Sequence, residues 1–438
     1  MTIAPELEDF TFRTWAGTHR RVPDRLYRPR NTDEVVEAVY EANTAEAHLR
    51  VTGAARAWSD AAVPAERGWS LSTIRMNRVL EVDKTHHRVR VQAGIRIADL
   101  AFTLAQHGLA VPNLPTTGEA TLGGVFASGG HGWSPQHGGL GTTVQAIQLV
   151  DASGNVHELS CAEPAGRREL SAHFGAMGAF GIVTELGLAA VPAFGLEART
   201  RPFPFEEGLA SLPDALARFD YLRLVWWPSS PTLWRTTAER TTAPVTTGPM
   251  PGWFRSGLAG GHLRRAITAW GASFPEHLPR LTSLAGRIGP LAPRCGARSD
   301  RLLLLPAEPV HRALAYALPV EYLPDALRAV RTAIEGPRLP ADAPFDVWFS
   351  PTEDAPFSPA FGRATATVVA RAGGALSADV LFPAVHDALR AFDPRPHLGF
   401  QHLFDAVDAF RGRAATERRA SDARGLFRNE FLDRLLAA

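Results

Sequence analysis

Apolar and polar residues alternate with a period of two over residues 79–93 (VLEVDKTHHRVRVQA). A polar break at Asp83–His87 makes the pattern a β-hairpin. The same design recurs at 144–159 (VQAIQLVDASGNVHEL), turning at Ala152–Asn155. Helical spacing appears instead at 31–50, where Asn31, Thr32 and Asp33 offer N-caps, and leads into a strand, HLRVTG, that ends on Gly53. IADLAFTLAQHG (97–108) reads as an amphipathic helix stopped by Gly108. FGAMGAFGIVTELGLAAVPA (174–193) ends in an apolar strand.

Near residue 194 the texture changes. Residues 195–300 are rich in Trp, Pro and Thr, with WWPSSP at 226–231 and a weakly patterned stretch at 240–262. EYLPDALRAVRTAIEG (321–336) reads as a strand edge entering a helix with Pro324 in its first turn. FDVWFSP and RATATVVARAG alternate as strands, and SADVLFPAVHDALRAF is helical again. The expected organisation is an α+β chain in three parts: a first domain over 1–193, a second over 194–402, and a C-terminal segment, 403–438, that returns to the first.

The 438 residues suffice for two or three domains, and 45% hydrophobic with 21% charged residues describes a globular protein. A net charge of +1 gives no electrostatic case for nucleic acid or an anionic membrane. No apolar run approaches the roughly 20 residues that span a bilayer. Cys161 and Cys295 are far apart and form no metal-binding spacing. With no secretory pattern at the amino terminus, the expected location is cytoplasmic.

Residues 111–142, VPNLPTTGEATLGGVFASGGHGWSPQHGGLGT, carry the chemistry. Gly removes the Cβ that blocks close approach to a ligand, and successive N–H groups in such a loop form an anion nest. A nucleotide cofactor follows as the first hypothesis; a series of tight turns between short strands is the alternative.

Several segments in order resemble a known family: Trp15-Ala16-Gly17, VTGAARAWSD at 51–60, VQAGIRIADL at 91–100, LAVPNLP…TLGG…ASGGHG at 109–132, GAFGIVTELGL at 178–188 and DARGLFRNEFL at 422–432. The chain is similar to the FAD-linked oxidoreductases of the vanillyl-alcohol oxidase superfamily. Within it, the likeness is to the aldonolactone and alditol oxidases, with a further likeness to covalent-flavin cholesterol oxidase. The resemblance implies a two-subdomain FAD-binding domain plus an α+β cap that holds the substrate. It assigns the cofactor to a first loop of Thr52, Gly53, Ala54, Ala55, Arg56, Ala57 and Trp58. A second loop supplies Pro115, Thr116, Thr117, Gly118, Thr121, Gly123, Gly124, Ser128, Gly129, Gly130, His131 and Gly132, and a strand adds Gly181, Ile182 and Val183. Relatives that bind flavin covalently on the first loop carry a His in a Gly-x-Gly-His-Ser pattern; Arg56 stands there instead. His131, in GGHG, is the remaining candidate for a covalent bond or for a hydrogen bond beside the ring. His137, in PQHGG, is a candidate for the flavin edge or a plain loop histidine.

The cap departs from the pattern. The Glu-x-Arg strand expected over the flavin matches FDVWFS, with Asp346 for Glu and Trp348 for Arg; a His-Trp-Gly-Lys motif appears as HLGF, with His397 kept and Phe400 for Lys. Aromatic walls are expected to raise the pKa of Asp346 and suit it as a general base. The alternative is that Trp348 and Phe400 pack the cap core; His402, Glu321 and Tyr322 are further candidates. The expected activity is hydride removal from a C–H bearing OH or NH of a largely apolar small molecule, as in a secondary-metabolite tailoring step. Molecular oxygen is the expected acceptor, and Gly123 is expected to leave space for it. The alternatives are a sugar-lactone or alditol oxidase, and a non-redox flavin-binding or cyclising protein.

Overall fold

The computed structural model describes residues 10–241, 261–288, 294–305, 308–404, 422 and 424–436. The stretch 242–260 of the weakly patterned segment, and 405–421 of the C-terminal one, lie outside them.

Three sheets organise the chain. The first is small and parallel: β1 (Leu26–Tyr27), then α1 (Thr32–Thr44), β2 (Leu49–Thr52) and β3 (Trp69–Ser72), in the order β1-β3-β2. Asn31 caps α1 by accepting the Glu34 N–H, and Val35, Ala38, Val39 and Ala42 bury its apolar stripe. The second sheet is antiparallel and contains both expected hairpins: β4 (Val79–Asp83) with β5 (Arg88–Gln92), and β6 (Val144–Val150) with β7 (Val156–Ser160). Between them come α2 (Ile97–Gln106) and the short α3 (Leu122–Ala127); α4 (Pro164–Ser171) and β8 (Ile182–Ala189) follow. β8 sits between β6 and β5, so the order is β7-β6-β8-β5-β4. Its strict in–out alternation reflects one face on the core and one partly solvated.

An eight-stranded antiparallel sheet starts at β9 (Gly195–Pro204). It adds β10 (Tyr221–Trp226), β11 (Thr232–Thr241), β12 (Arg294–Arg298), β13 (Arg312–Pro319), β14 (Phe345–Ser350), β15 (Thr365–Ala372) and β16 (Arg395–Pro396), with the order β12-β9-β11-β10-β14-β15-β13-β16. Helices α5 (Leu323–Glu335) and α6 (Ala375–Leu389) cover one face, where Leu314, Tyr316, Val347 and Val368 meet Leu327 and Val385. The opposite face, with Ala313, Ala315, Trp348 and Val369, shares one core with Val91, Leu122, Val125 and Phe126 of the amino-terminal part. Cover on both faces thus explains why β14 and β15 are buried along their whole length.

Past the sheets, Leu426 and Phe427 enter the core around α1, and Asn429 donates to the Ala61 and Val63 carbonyls. The end of the chain is thereby fastened beside the first loop.

Candidate active site

The first loop leaves β2 at Thr52. A Cβ on Gly53 would collide with the Thr121 hydroxyl, so the bare backbone lets the two loops touch. Ala55 follows at φ +52°, a left-handed turn made without glycine. In the second loop Thr121 accepts the Gly124 N–H at 3.3 Å, and the Gly123 N–H donates to the Ala93 carbonyl at 2.7 Å. A Cβ at Gly123 would lie 2.9 Å from that of Ala93. The space expected at Gly123 is therefore filled by Ala93, and the oxygen argument built on it fails.

One elongated cavity runs between these loops and the cap. Thr52 to Trp58, Pro115, Thr116, Thr117, Thr121, Gly123, Gly124, Ser128, Gly130, His131, Gly181 and Val183 all line it. Four expected positions do not. Gly118 backs onto Ala98, Gly129 turns at φ +67° against Gly175, Gly132 packs on Asn113, and Ile182 belongs to the core. These glycines shape the loop rather than touch what it holds. Arg56 lines the wall, paired with Glu119 at 2.7 Å and lying over the Trp15 ring. The cavity fits a dinucleotide. Between the two loops its walls are mostly small residues and backbone, and the Thr52 Oγ1 is buried without any hydrogen-bond partner.

At the cap end the wall is aromatic. Trp58 and Phe400 stack at 4.4 Å, and Trp348 meets Phe400 edge-on at 6.1 Å. The first loop is tied to this wall: Trp58 N donates to the Gly399 carbonyl at 2.8 Å and Ser59 Oγ to that of Leu398 at 2.7 Å. His397 is buried here, its Nδ1 accepting the Gly399 N–H, and desolvation with the nearby His131 pushes its pKa down to about 3.

His131 is gripped from across the molecule. Its Nε2 lies 3.1 Å from the Glu353 carboxylate, which also takes the Gly139 N–H at 2.6 Å and the Ser358 hydroxyl at 2.5 Å. Burial opposes charge on the ring, but the Glu353 charge and hydrogen bond outweigh it and raise the His131 pKa. Burial likewise opposes the Glu353 charge, and the same pairing holds its pKa below the usual range. Glu353 went unseen in the sequence because its partner lies 222 residues away.

Asp346 requires a correction. It is fully buried on β14, but the cavity does not reach it. Arg223, on the neighbouring strand β10 and in register with Trp348, grips it with two 2.9 Å hydrogen bonds; Arg371 of β15 pairs with it as well. Burial would raise its pKa as expected from sequence, yet the two guanidinium groups outweigh burial and lower it. Such a carboxylate is a structural anion and not a free base. Glu321 and Tyr322 are exposed at the entry to α5, Tyr322 by 46%, and do not meet the cavity. His402 is half-buried against Phe431, also outside it. His137 is bound to Arg240 at 3.1 Å, away from the cavity wall.

The fold and the loop pair define an FAD-dependent oxidoreductase, and comparison with known proteins agrees. Residues 23–160 match the FAD binding domain family. Residues 186–435 match the D-arabinono-1,4-lactone oxidase family, and since that match spans more than half of the chain, the chain belongs to this family. It is 28% identical to L-gulonolactone oxidase of Bos taurus over 97% of this chain and 98% of that one. It is 25% identical to L-gulono-1,4-lactone dehydrogenase of Mycobacterium tuberculosis over 96% and 98%. In three dimensions it resembles a histidine-to-alanine variant of cholesterol oxidase from Brevibacterium sterolicum (TM-score 0.83, 17% identity, 99% of this chain and 98% of that one). A solvent-stable cholesterol oxidase aligns with TM-score 0.81 at 18% identity, over 99% and 98%. At such identities the structural likeness establishes the vanillyl-alcohol oxidase type of fold and nothing finer.

Proposed function

We propose that this protein oxidises a carbon bearing a hydroxyl group in an aldonolactone. The observation that carries this reading is the continuous match of the cap-bearing part, 186–435, to lactone oxidases, joined to full-length relatives that act on gulonolactone. It displaces the apolar tailoring step as the leading substrate class. Bound FAD would supply the two-electron acceptor for the C–H bond. Thr52 to Trp58 and Pro115 to His131 would hold it by close backbone approach, and the cap aromatics would exclude water. With Asp346 locked to arginines, the proton acceptor is assigned to His131. The acceptor atom would be Nδ1 of the neutral ring, released from the Gly129 backbone, and the Glu353 carboxylate, 3.1 Å from Nε2, would stabilise the imidazolium formed. Molecular oxygen is the proposed final acceptor.

A second reading keeps a less polar substrate, favoured by the Trp58–Phe400–Trp348 wall where a polar clamp was expected. Anaerobic reduction of the flavin decides between them: bleaching by gulonolactone or arabinonolactone supports the first, and bleaching only by an apolar alcohol supports the second. Glu353→Gln should slow flavin reduction by about 10²-fold while flavin content holds; an unchanged rate removes His131 from proton transfer. A covalent flavin bond through His131 is the competing role for that ring. Acid precipitation tests it directly, because flavin that stays with the protein would occupy a ring nitrogen and exclude the base assignment.

A further inference from the structure

We infer that Arg50 is the buried counter-charge for the pyrophosphate of the bound FAD, a role outside both cofactor loops. Arg50 and Thr52 lie two apart on β2, so their side chains project to the same side of the strand, and both residues line the cavity. Arg50 is only 2% exposed. Its guanidinium donates to three backbone carbonyls from separate parts of the chain: Ala61 at 2.6 Å, Met177 at 2.5 Å and Phe427 at 3.2 Å.

None of these partners carries charge. The acid whose charge acts on it, Asp60, is itself paired with Arg434 at 2.7 Å. A buried cation served only by dipoles is costly, and burial accordingly depresses the Arg50 pKa to about 10. The neighbouring Thr52 hydroxyl is also buried without a partner. A cation without an ionic partner and an unsatisfied hydroxyl on one wall of the cavity describe a place for an anionic, oxygen-rich group. The Met177 contact extends the argument. Arg50 holds the carbonyl of a residue at φ +55°, and that turn delivers Gly178 and, three residues on, Gly181 to the same wall.

The inference rests on FAD being the cofactor, and the experiment separates the two. Full-length apoprotein is titrated with FAD and with riboflavin, which lacks the pyrophosphate, in wild type, Arg50→Met and Arg50→Lys. Expected is a loss of FAD affinity of about 10²-fold or more in Arg50→Met, little change for riboflavin, and partial recovery in Arg50→Lys. Equal losses for FAD and riboflavin would overturn the inference and leave Arg50 as a backbone clamp. So would unchanged FAD affinity with equal falls in the melting temperatures of apo and loaded protein. If Arg50→Met does not fold, wild-type apoprotein is decisive: ADP should raise its melting temperature more than adenosine, and equal shifts refute the counter-charge. Failure of wild type to bind FAD at all would overturn the cofactor assignment instead.

Discussion

The two ends of the cavity are built on opposite principles. The loop end is made of backbone: Gly53 touches Thr121, Gly123 touches Ala93, and side chains mostly stay small. The cap end is made of large side chains from distant parts of the sequence, with Trp348, Phe400 and Trp58 as a wall; outside the cavity, Asp346 is pinned between Arg223 and Arg371. A backbone-made site tolerates almost no added volume. A side-chain-made site tolerates reshaping but fails when one member of a buried charged group is removed.

Substitutions can break this contrast. The largest effect is expected at the loop end, where Gly53→Val forces a branched side chain into Thr121. The protein should purify without flavin, with a repacking cost of about 1–3 kcal/mol in chemical denaturation. A normal ratio of flavin to protein absorbance would show that the loops can separate.

At the cap end Asp346→Asn tests structure against catalysis. Leaving Arg223 and Arg371 buried without their anion should cost about 3–5 kcal/mol of stability. A variant as stable as wild type but slow in flavin reduction would restore Asp346 as a base and contradict its pairing.

His397 sharpens the contrast by pH. Its folded pKa, about 3, lies below the ordinary 6.5. The unfolded chain therefore binds the proton first, and the contribution to stability, full above about pH 6.5, falls as pH drops toward 3. Between pH 7.5 and 4 that amounts to about 3 kcal/mol. His131 works the other way: with a raised folded pKa its contribution is full below 6.5 and fades as pH rises through the folded value. Denaturation of His397→Asn across this range should show a shallower acid loss than wild type. An identical slope would place the sensitivity in the other buried histidines.

The difference between the ends also governs what could be read from residues alone. Small-residue loops leave a local mark: the glycine-rich run at 111–142 pointed to a nucleotide cofactor because the property it needs, absence of side chain, is written in its residues, while VTGAARAW was placed beside it by resemblance to a family. The hairpins at 79–93 and 144–159 were legible for the same reason, since period two is local. Arg50 left a signal too, a charge inside the apolar strand HLRVTG, but its meaning required Ala61, Met177 and Phe427.

The cap's chemistry was not legible in this way. FDVWFS correctly read as a strand, and the aromatics do form a wall. Whether Asp346 was a free base depended on Arg223, 123 residues away, and on Arg371 across the next strand. The amino-acid sequence by itself determined the strands and a glycine-rich loop suited to a nucleotide, because backbone conformation and close approach are properties of neighbours in the chain; the resemblance of its motifs narrowed that nucleotide to FAD. Only the tertiary structure decided which carboxylates are free and which are bound, giving His131 its Glu353 and taking Asp346 out of play. The physical reason is that a buried group's charge state follows the field of whatever surrounds it, and strand order brings those surroundings from anywhere in the chain.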